Sequence, residues 1–421
     1  MKKNAMHFRH GLRLILVWIV AGHVNLQAQI VVDSIHTVPT DMVLPSLGAL
    51  GGLAVDRLGY VYMANFANEI WRINPEGNVK LLSSSGYGTS GITVDRRGDI
   101  YHANFYGNTI SKIGRDGKES IYVDSGLSGP VGLAMDDNDE MYVCNCQDNS
   151  ISKVTPDRKV TTFARSELFN CPNGITFDAK GNLYVVNFQN DHVVRITPDG
   201  KIERFATVAG AEGNAHIAYL KNSFYITKIK TNTLYRLLPD GNAYRISGNG
   251  IPDAADGAAD VATLSRPNGI ASDPKRGVLY VNNLVGEWNT NAATSVILRK
   301  VSPTGLTQIF QNFLATKGLD SAIAATRSYT QDEHNRFEDV GVELGTLGWA
   351  MMKERKVKEA ISIFSLQHDV YPKRWRPLYY LGEVYKILGQ NETAADYYRQ
   401  ALKLDPSNSA VKDKLNQLKQ P

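Results

Sequence analysis

The sequence predicts a mainly β protein with an α-helical tail: a six-bladed β-propeller followed by a small helical module. Two observations carry this prediction. A unit of about 40 residues, centred on an aromatic-apolar core, recurs six times. After Gln311 the turn glycines thin out, and an apolar pattern at i, i+3 and i+4 takes over with a self-match 34 residues apart.

The six cores are Tyr62-Met-Ala-Asn65, Tyr101-His-Ala-Asn104, Tyr142-Val-Cys-Asn145, Tyr184-Val-Val-Asn187, Tyr225-Ile-Thr-Lys228 and Tyr280-Val-Asn-Asn283. Their tyrosines lie 39, 41, 42, 41 and 55 residues apart. Six residues before the tyrosine stands Asp56, Asp95, Asp136 or Asp178 in the first four copies; Tyr219 takes the place in the fifth, and Asp273 sits one residue further back in the sixth. Gly52, Gly91, Gly132, Gly174 and Gly269 open the units, with Ala215 read as the substitute in the fifth. Downstream, a third alternating stretch carries one basic residue per copy: Arg72, Lys112, Lys153, Arg195, Arg236 and Lys300. Turns such as Pro198-Asp-Gly200 and Pro239-Asp-Gly241 follow, and Asp-Gly is a strong hairpin signal because both residues tolerate positive φ.

Each unit therefore reads as four short antiparallel strands, which is a propeller blade, and six copies make six blades. A loop from Gly248 to Pro267 accounts for the one long spacing. A blade buries its faces only against neighbours, so the ring must close, and the stretch Ile30–Val43 is the candidate closing strand.

The N-terminus has a different character. Lys2, Lys3, Arg9 and Arg13 precede an apolar run from Leu14 to Ala21, and Leu26-Gln27-Ala28 offers a small-residue cleavage site. That is the layout of a secretory signal peptide, and the run is shorter than the ~20 residues a membrane helix requires. Residues 1–28 carry four Lys/Arg and no Asp/Glu, so cleavage after Ala28 leaves 42 basic and 42 acidic residues. A balanced mature chain has no excess charge with which to displace the counterions of a nucleic acid. The expectations are a signal peptide at 1–28, a propeller at 29–311, a helical module at 312–421, and a periplasmic or secreted location without a membrane span.

In the tail, Leu347-Gly348 matches Leu381-Gly382, Ala360 matches Ala394, Phe364 matches Tyr398 and Pro372 matches Pro406. This spacing and these residue types resemble tetratricopeptide (TPR) repeats, which implies a groove for a protein partner. A degenerate helix pair is expected over residues 319–339 and a closing helix over 407–418.

The blade pattern resembles the NHL repeat and the related senescence-marker/gluconolactonase propellers, most closely in Arg266-Pro-Asn-Gly-Ile-Ala-Ser-Asp273. In such a ring the first strand starts, and the second ends, at one face. Asn173, Asn214 and Asn268 from first strands then converge with Asn187 and Lys228 from second strands, and His216 lies on the same side as Asn214. These residues are the candidate ligand-binding set, for a small-molecule or sugar-type ligand. The lactonase resemblance makes Asn173 a candidate ligand for a divalent cation (Ca²⁺ or Zn²⁺) in the channel, although Pro45–Gly52 holds no acid to join it. The streptogramin lyases, propellers of related repeat, imply His216 as general base. His102, whose equivalents are apolar, belongs to blade packing.

Three cysteines remain. Cys171 opens blade four at the end of the ring where Cys144 and Cys146 close a strand of blade three, so a disulfide from Cys171 to Cys146, or to Cys144, is expected. The primary functional expectation is an exported binding protein, with a ligand or partner on the channel face and a second protein on the tail. The alternative is a metal-dependent hydrolase of lactonase type or a lyase, and the third is a structural scaffold.

Overall fold

Every repeat unit forms an antiparallel sheet whose first strand lines the ring axis. The computed structural model describes residues 34–38, 43–44, 50–66, 68–84, 87–210, 212–285, 294–332, 335 and 340–418. Residues 1–28, read as a signal peptide, lie outside the described residues. Blade one comprises Leu50–Val55, Val61–Asn65, Ile70–Ile73 and Val79–Ser83, and blades two to five repeat this order of neighbouring strands.

The first turn of a blade shows what the repeated aspartate does. Asp56 Oδ1 accepts from the amides of Leu58, Gly59 and Tyr60, and the Tyr62 hydroxyl donates to Oδ2. The aspartate closes the hairpin and fixes the buried tyrosine, which explains their six-residue spacing in the first four blades.

Blade five departs from this turn. Leu220 pairs with Ser223 across Lys221 and Asn222, which stand at φ 47° and 58°, the tight hairpin that two left-handed residues make. The hairpin is one residue shorter than the others, so alignment on the tyrosines is off by one upstream of it. The pairs Asn214↔Lys228 and Ile217↔Ile226 place His216, rather than Ala215, at the position of Gly52, Gly91, Gly132, Gly174 and Gly269.

That position requires glycine for a steric reason. The inner strands converge at the axis, and a Cβ on Gly132 would run into the carbonyl oxygen of Asn173 in the next blade. Neighbouring blades also share their cores: Leu53 and Met63 of blade one pack with Tyr280 and Leu298 of blade six.

Blade six closes the ring. Its strands Ile270–Asp273, Val278–Val285 and Thr294–Ser302 are joined by Ser34–Val38, with Ser34 opposite Ser302 and Val38 opposite Leu298. The short strand Gly257–Ala258, from the long loop, lies outside it. Asp256 in that loop accepts from the Thr37 amide and hydroxyl and pairs at 2.9 Å with Arg299, whose side chain is fully buried. The loop thus clamps the closing strand. The turn at Pro303–Gly305, read as leading to a fourth strand, leads directly into a helix because the N-terminal strand already fills that edge.

Among the described residues seven helices follow: α1 (Leu306–Lys317), α2 (Leu319–Gln331), α3 (Val340–Lys353), α4 (Val357–Val370), α5 (Arg376–Ile387), α6 (Asn391–Leu404) and α7 (Ser409–Gln417). The expected boundary after Gln311 falls inside α1. The degenerate pair expected over 319–339 is α1 with α2, because Leu306, Ile309, Phe310 and Phe313 are apolar at helical spacing and fully buried in the tail core. In the two regular pairs, a Cβ on Gly348 or Gly382 would overlap the ring of Phe364 or Tyr398. The 34-residue match is therefore one packing solution used twice: a glycine on the first helix admits an aromatic from the second.

Candidate functional site

The second-strand asparagines form a set of inter-blade staples. Asn145 is buried; its Oδ1 accepts from the Ser128 amide, and its Nδ2 donates to Ser150 and Ser152. Asn104 accepts from Tyr87 and donates to Thr109 and Ser111. Asn187 accepts from the Asn170 amide and donates to Leu168 and Asn190. In each case the side chain ties down the chain that leads to the inner strand of its own blade. A second clasp joins neighbours: Asn108, Asn149 and Asn232 accept from the amides of Gly129, Cys171 and Arg266, all at positive φ.

Lys228 performs the blade-five version of the staple. Its ammonium, wholly buried, donates to the carbonyls of Val208, Ala209 and Gly210. Burial lowers its pKa to about 8, so it retains the proton that makes the third bond at neutral pH. Asn187 and Lys228 were expected to meet a ligand; their polar atoms meet partners inside the protein, backbone groups in both cases and also the Asn190 side chain for Asn187. Asn214 is also fully buried and donates to the Asn190 carbonyl.

His216 behaves differently. Its main chain is held by Thr227, whose hydroxyl accepts from the His216 amide at 3.1 Å, and its ring reaches past blade six toward blade one. A Cβ on Gly52 would lie 3.2 Å from His216 Cε1, which puts the imidazole across the ring axis. Neither ring nitrogen has a hydrogen-bond partner among the described residues, although the residue is only 8% exposed. Burial lowers its pKa to about 4, so the ring is neutral at pH 7, with one nitrogen able to accept and one to donate.

Asn173, on the inner strand of blade four, and Asn268, two residues before that of blade six, belong to the blades on either side of this ring. Asn173 Nδ2 donates to the Ala215 carbonyl at 2.7 Å, and Asn268 Nδ2 donates to the Leu50 carbonyl. Their amide nitrogens hold the ring together, and an Oδ1 acceptor is left on each. Five of the six inner strands contribute no side chain to the layer in which the imidazole lies. Chemically the site offers hydrogen-bond acceptors and a neutral imidazole at the axis, suited to a ligand rich in hydroxyl or amide donors. Among the described residues no three His, Cys, Asp or Glu side chains cluster in a way that could hold a metal ion. Asn173 therefore lacks the carboxylates that a hard cation requires beside it.

Two positioning residues escaped the sequence reading. Thr227, and Asn282, which donates to the Gly51 carbonyl and accepts from the Gly269 amide, stand where Ala64, Ala103 and Val186 stand in other blades. A polar residue at an otherwise small apolar position of the repeat was the available signal. Near this face Cys146 and Cys171 form a disulfide between blades three and four, and Cys144 is a buried free thiol. His102 is packed inside blade two against Glu119.

Fold and site together define a six-bladed propeller with a polar, histidine-bearing axis and a TPR tail, an arrangement consistent with a binding or scaffold role. The chain belongs to the virginiamycin B lyase family, whose family model matches residues 54–287, and a tetratricopeptide repeat matches residues 375–408. Among solved structures it is similar to a protein of unknown function from Bacteroides thetaiotaomicron, at 16% identity and a TM-score of 0.53, covering 64% of this chain and 76% of that one. It is also similar to an auxiliary nutrient binding protein from Bacteroides ovatus, at 14% identity and a TM-score of 0.52, covering 65% and 77% of the two chains. At these identities the likeness is one of fold. A curated relative, the CTR9 homolog protein of Arabidopsis thaliana, is 40% identical over 63 residues, which are 15% of this chain and 6% of that protein. The chain thus spans a small fraction of that relative's length.

Proposed function

We propose that this chain is an exported binding protein, with a small, donor-rich ligand held at the axis of the propeller and a second protein docked on the helical tail. The observation that carries the reading is His216: a buried imidazole at a position that is glycine in five blades, with no described partner for either ring nitrogen. Evenly repeated features of this ring serve its architecture, whereas this one interrupts the repeat at its narrowest layer. Asn173 and Asn268 would present amide oxygens to the same ligand. Export is supported by the charged and apolar start of the chain and by the disulfide, which persists in an oxidising compartment.

The test is thermal unfolding of the mature chain against a panel of sugars, amides and cyclic peptides, with His216→Gln in parallel. A ligand present at about 100 times its Kd stabilises its site by about 2.7 kcal/mol, a shift easily read. Stabilisation of the wild type that His216→Gln lacks supports the reading; equal shifts in both proteins overturn it. For the tail, removal of residues 306–421 should abolish capture of a purified partner without altering ligand binding.

A lyase is the second reading. The family is named for virginiamycin B lyase, and a neutral imidazole at pH 7 is in the form a general base requires. Incubation with virginiamycin B, followed by chromatography, decides it: conversion that disappears in His216→Gln identifies an enzyme, and unchanged substrate leaves the binding reading.

A further inference from the structure

A cavity of about 560 Å³ lies at the junction of blades one and two, lined by the turns that follow the inner strands. This is the end of the ring opposite the start of those strands, and so opposite His216 and its neighbours. Its walls carry Arg57, Arg72, Lys80, Arg96, Arg97 and Arg115 against three acids, Asp56, Asp95 and Asp116. All three acids are already engaged, Asp116 with the amide and the ammonium of Lys118. Asp56 and Asp95 close their hairpins and accept from the hydroxyls of Tyr62 and Tyr101. Arg96 pairs with Asp137 of blade three. Among the described residues the other five cations have no ion pair, in a mature chain whose total charge balances.

Blade one differs here from the three blades that follow it. The third-strand cation of blades two, three and four always meets an acid: Lys112 meets Asp99 and Lys153 meets Glu140, each at 2.6 Å, and Arg195 meets Glu203. Asp99 and Glu140 stand four residues after the hairpin aspartate. In blade one that position is Tyr60, and Arg72 lies over its ring at 4.9 Å instead. The stacking fixes a half-buried guanidinium on the cavity wall with its hydrogen-bonding capacity unmatched by any described carboxylate.

We propose that this cavity is a binding site for a small oxyanion ester, a phosphate or sulfate monoester, with Arg72 as its central contact and Arg57, Lys80, Arg97 and Arg115 around it. A guanidinium forms paired hydrogen bonds with tetrahedral oxyanions, and the volume suits a molecule of sugar size. The site is independent of the axial one, and either could exist without the other.

The experiment is calorimetric titration of the mature full-length protein with glucose 6-phosphate, glucose 6-sulfate and glucose, at low and high salt. At least one ester should bind, glucose should not, and raising the salt should weaken the binding. Comparison of the two esters tells phosphate from sulfate. Arg72→Met should reduce affinity at least about tenfold, the effect expected for loss of one charge-assisted pair. Tyr60→Asp introduces the acid that blades two and three possess and should abolish binding while the melting temperature is retained, which separates site loss from unfolding. Absence of binding by both esters, equal binding of glucose, or wild-type affinity in either variant overturns the proposal.

Discussion

The replacement His216→Gln tests how the axial histidine is held. Burial lowers its pKa from 6.5 to about 4, so in acid the unfolded chain takes up a proton that the folded protein refuses. The folded pKa is depressed, so the sign is fixed: stability is lost as pH falls from about 6.5 toward 4 and is flat outside that window. The full shift is worth about 3.4 kcal/mol, and about 2.5 kcal/mol of it is lost by pH 4.5. Carboxylates titrate in the same range, so the informative quantity is a difference. Urea unfolding of the propeller at pH 7.5 and pH 4.5 gives the stability gap between wild type and variant at each pH. That gap should move by about 2.5 kcal/mol in favour of the variant at the lower pH. Any constant cost of fitting glutamine at the axis cancels. A gap that does not change with pH would show that the imidazole protonates freely in the folded ring, and the buried, neutral site would be refuted.

Three other outcomes follow from the same geometry. Asp256→Ala removes the partner of a fully buried arginine and releases Thr37, so chemical denaturation should show a loss of about 3 kcal/mol and earlier proteolysis near residue 38. Replacement of Cys146 and Cys171 by serine opens a 25-residue loop and should cost about 3 kcal/mol in urea unfolding, a loss that reducing agent reproduces in the wild type alone. Asn145→Ala leaves the half-buried Ser128 amide and the buried Ser152 hydroxyl without this partner, while Ser150 keeps Asp148; a fall of about 1–3 kcal/mol in urea unfolding, with the fold retained by circular dichroism, is expected.

The architecture was legible because it repeats. A tyrosine, an aspartate and a turn recurring through the chain determine blade number, and the glycine–aromatic matches determine the helix pairs. Closure was visible in outline because blades bury their faces only against neighbours, so the ring must close; that the sixth blade has no fourth strand of its own was not visible. The site was legible only in part. Asparagines at strand ends read alike whether they bind ligands or staple loops; only the hydrogen-bond partners of Asn187 and Lys228 show that they do the latter. His216 was found as a residue but misplaced by one position, because a hairpin shortened by one residue is invisible when copies are aligned on the tyrosine beyond it. The cavity beside Arg72 was missed for a related reason: the basic residue is present in every copy, and what sets blade one apart from blades two and three is Tyr60 in place of their acid.

The central claim is that His216 holds a ligand at the ring axis. The most direct measurement is the ligand-induced shift in melting temperature of the wild type set beside that of His216→Gln, for the same compounds at the same concentrations. The account predicts at least one donor-rich compound that stabilises the wild type and leaves the variant unmoved. Compounds that shift both proteins equally would contradict it.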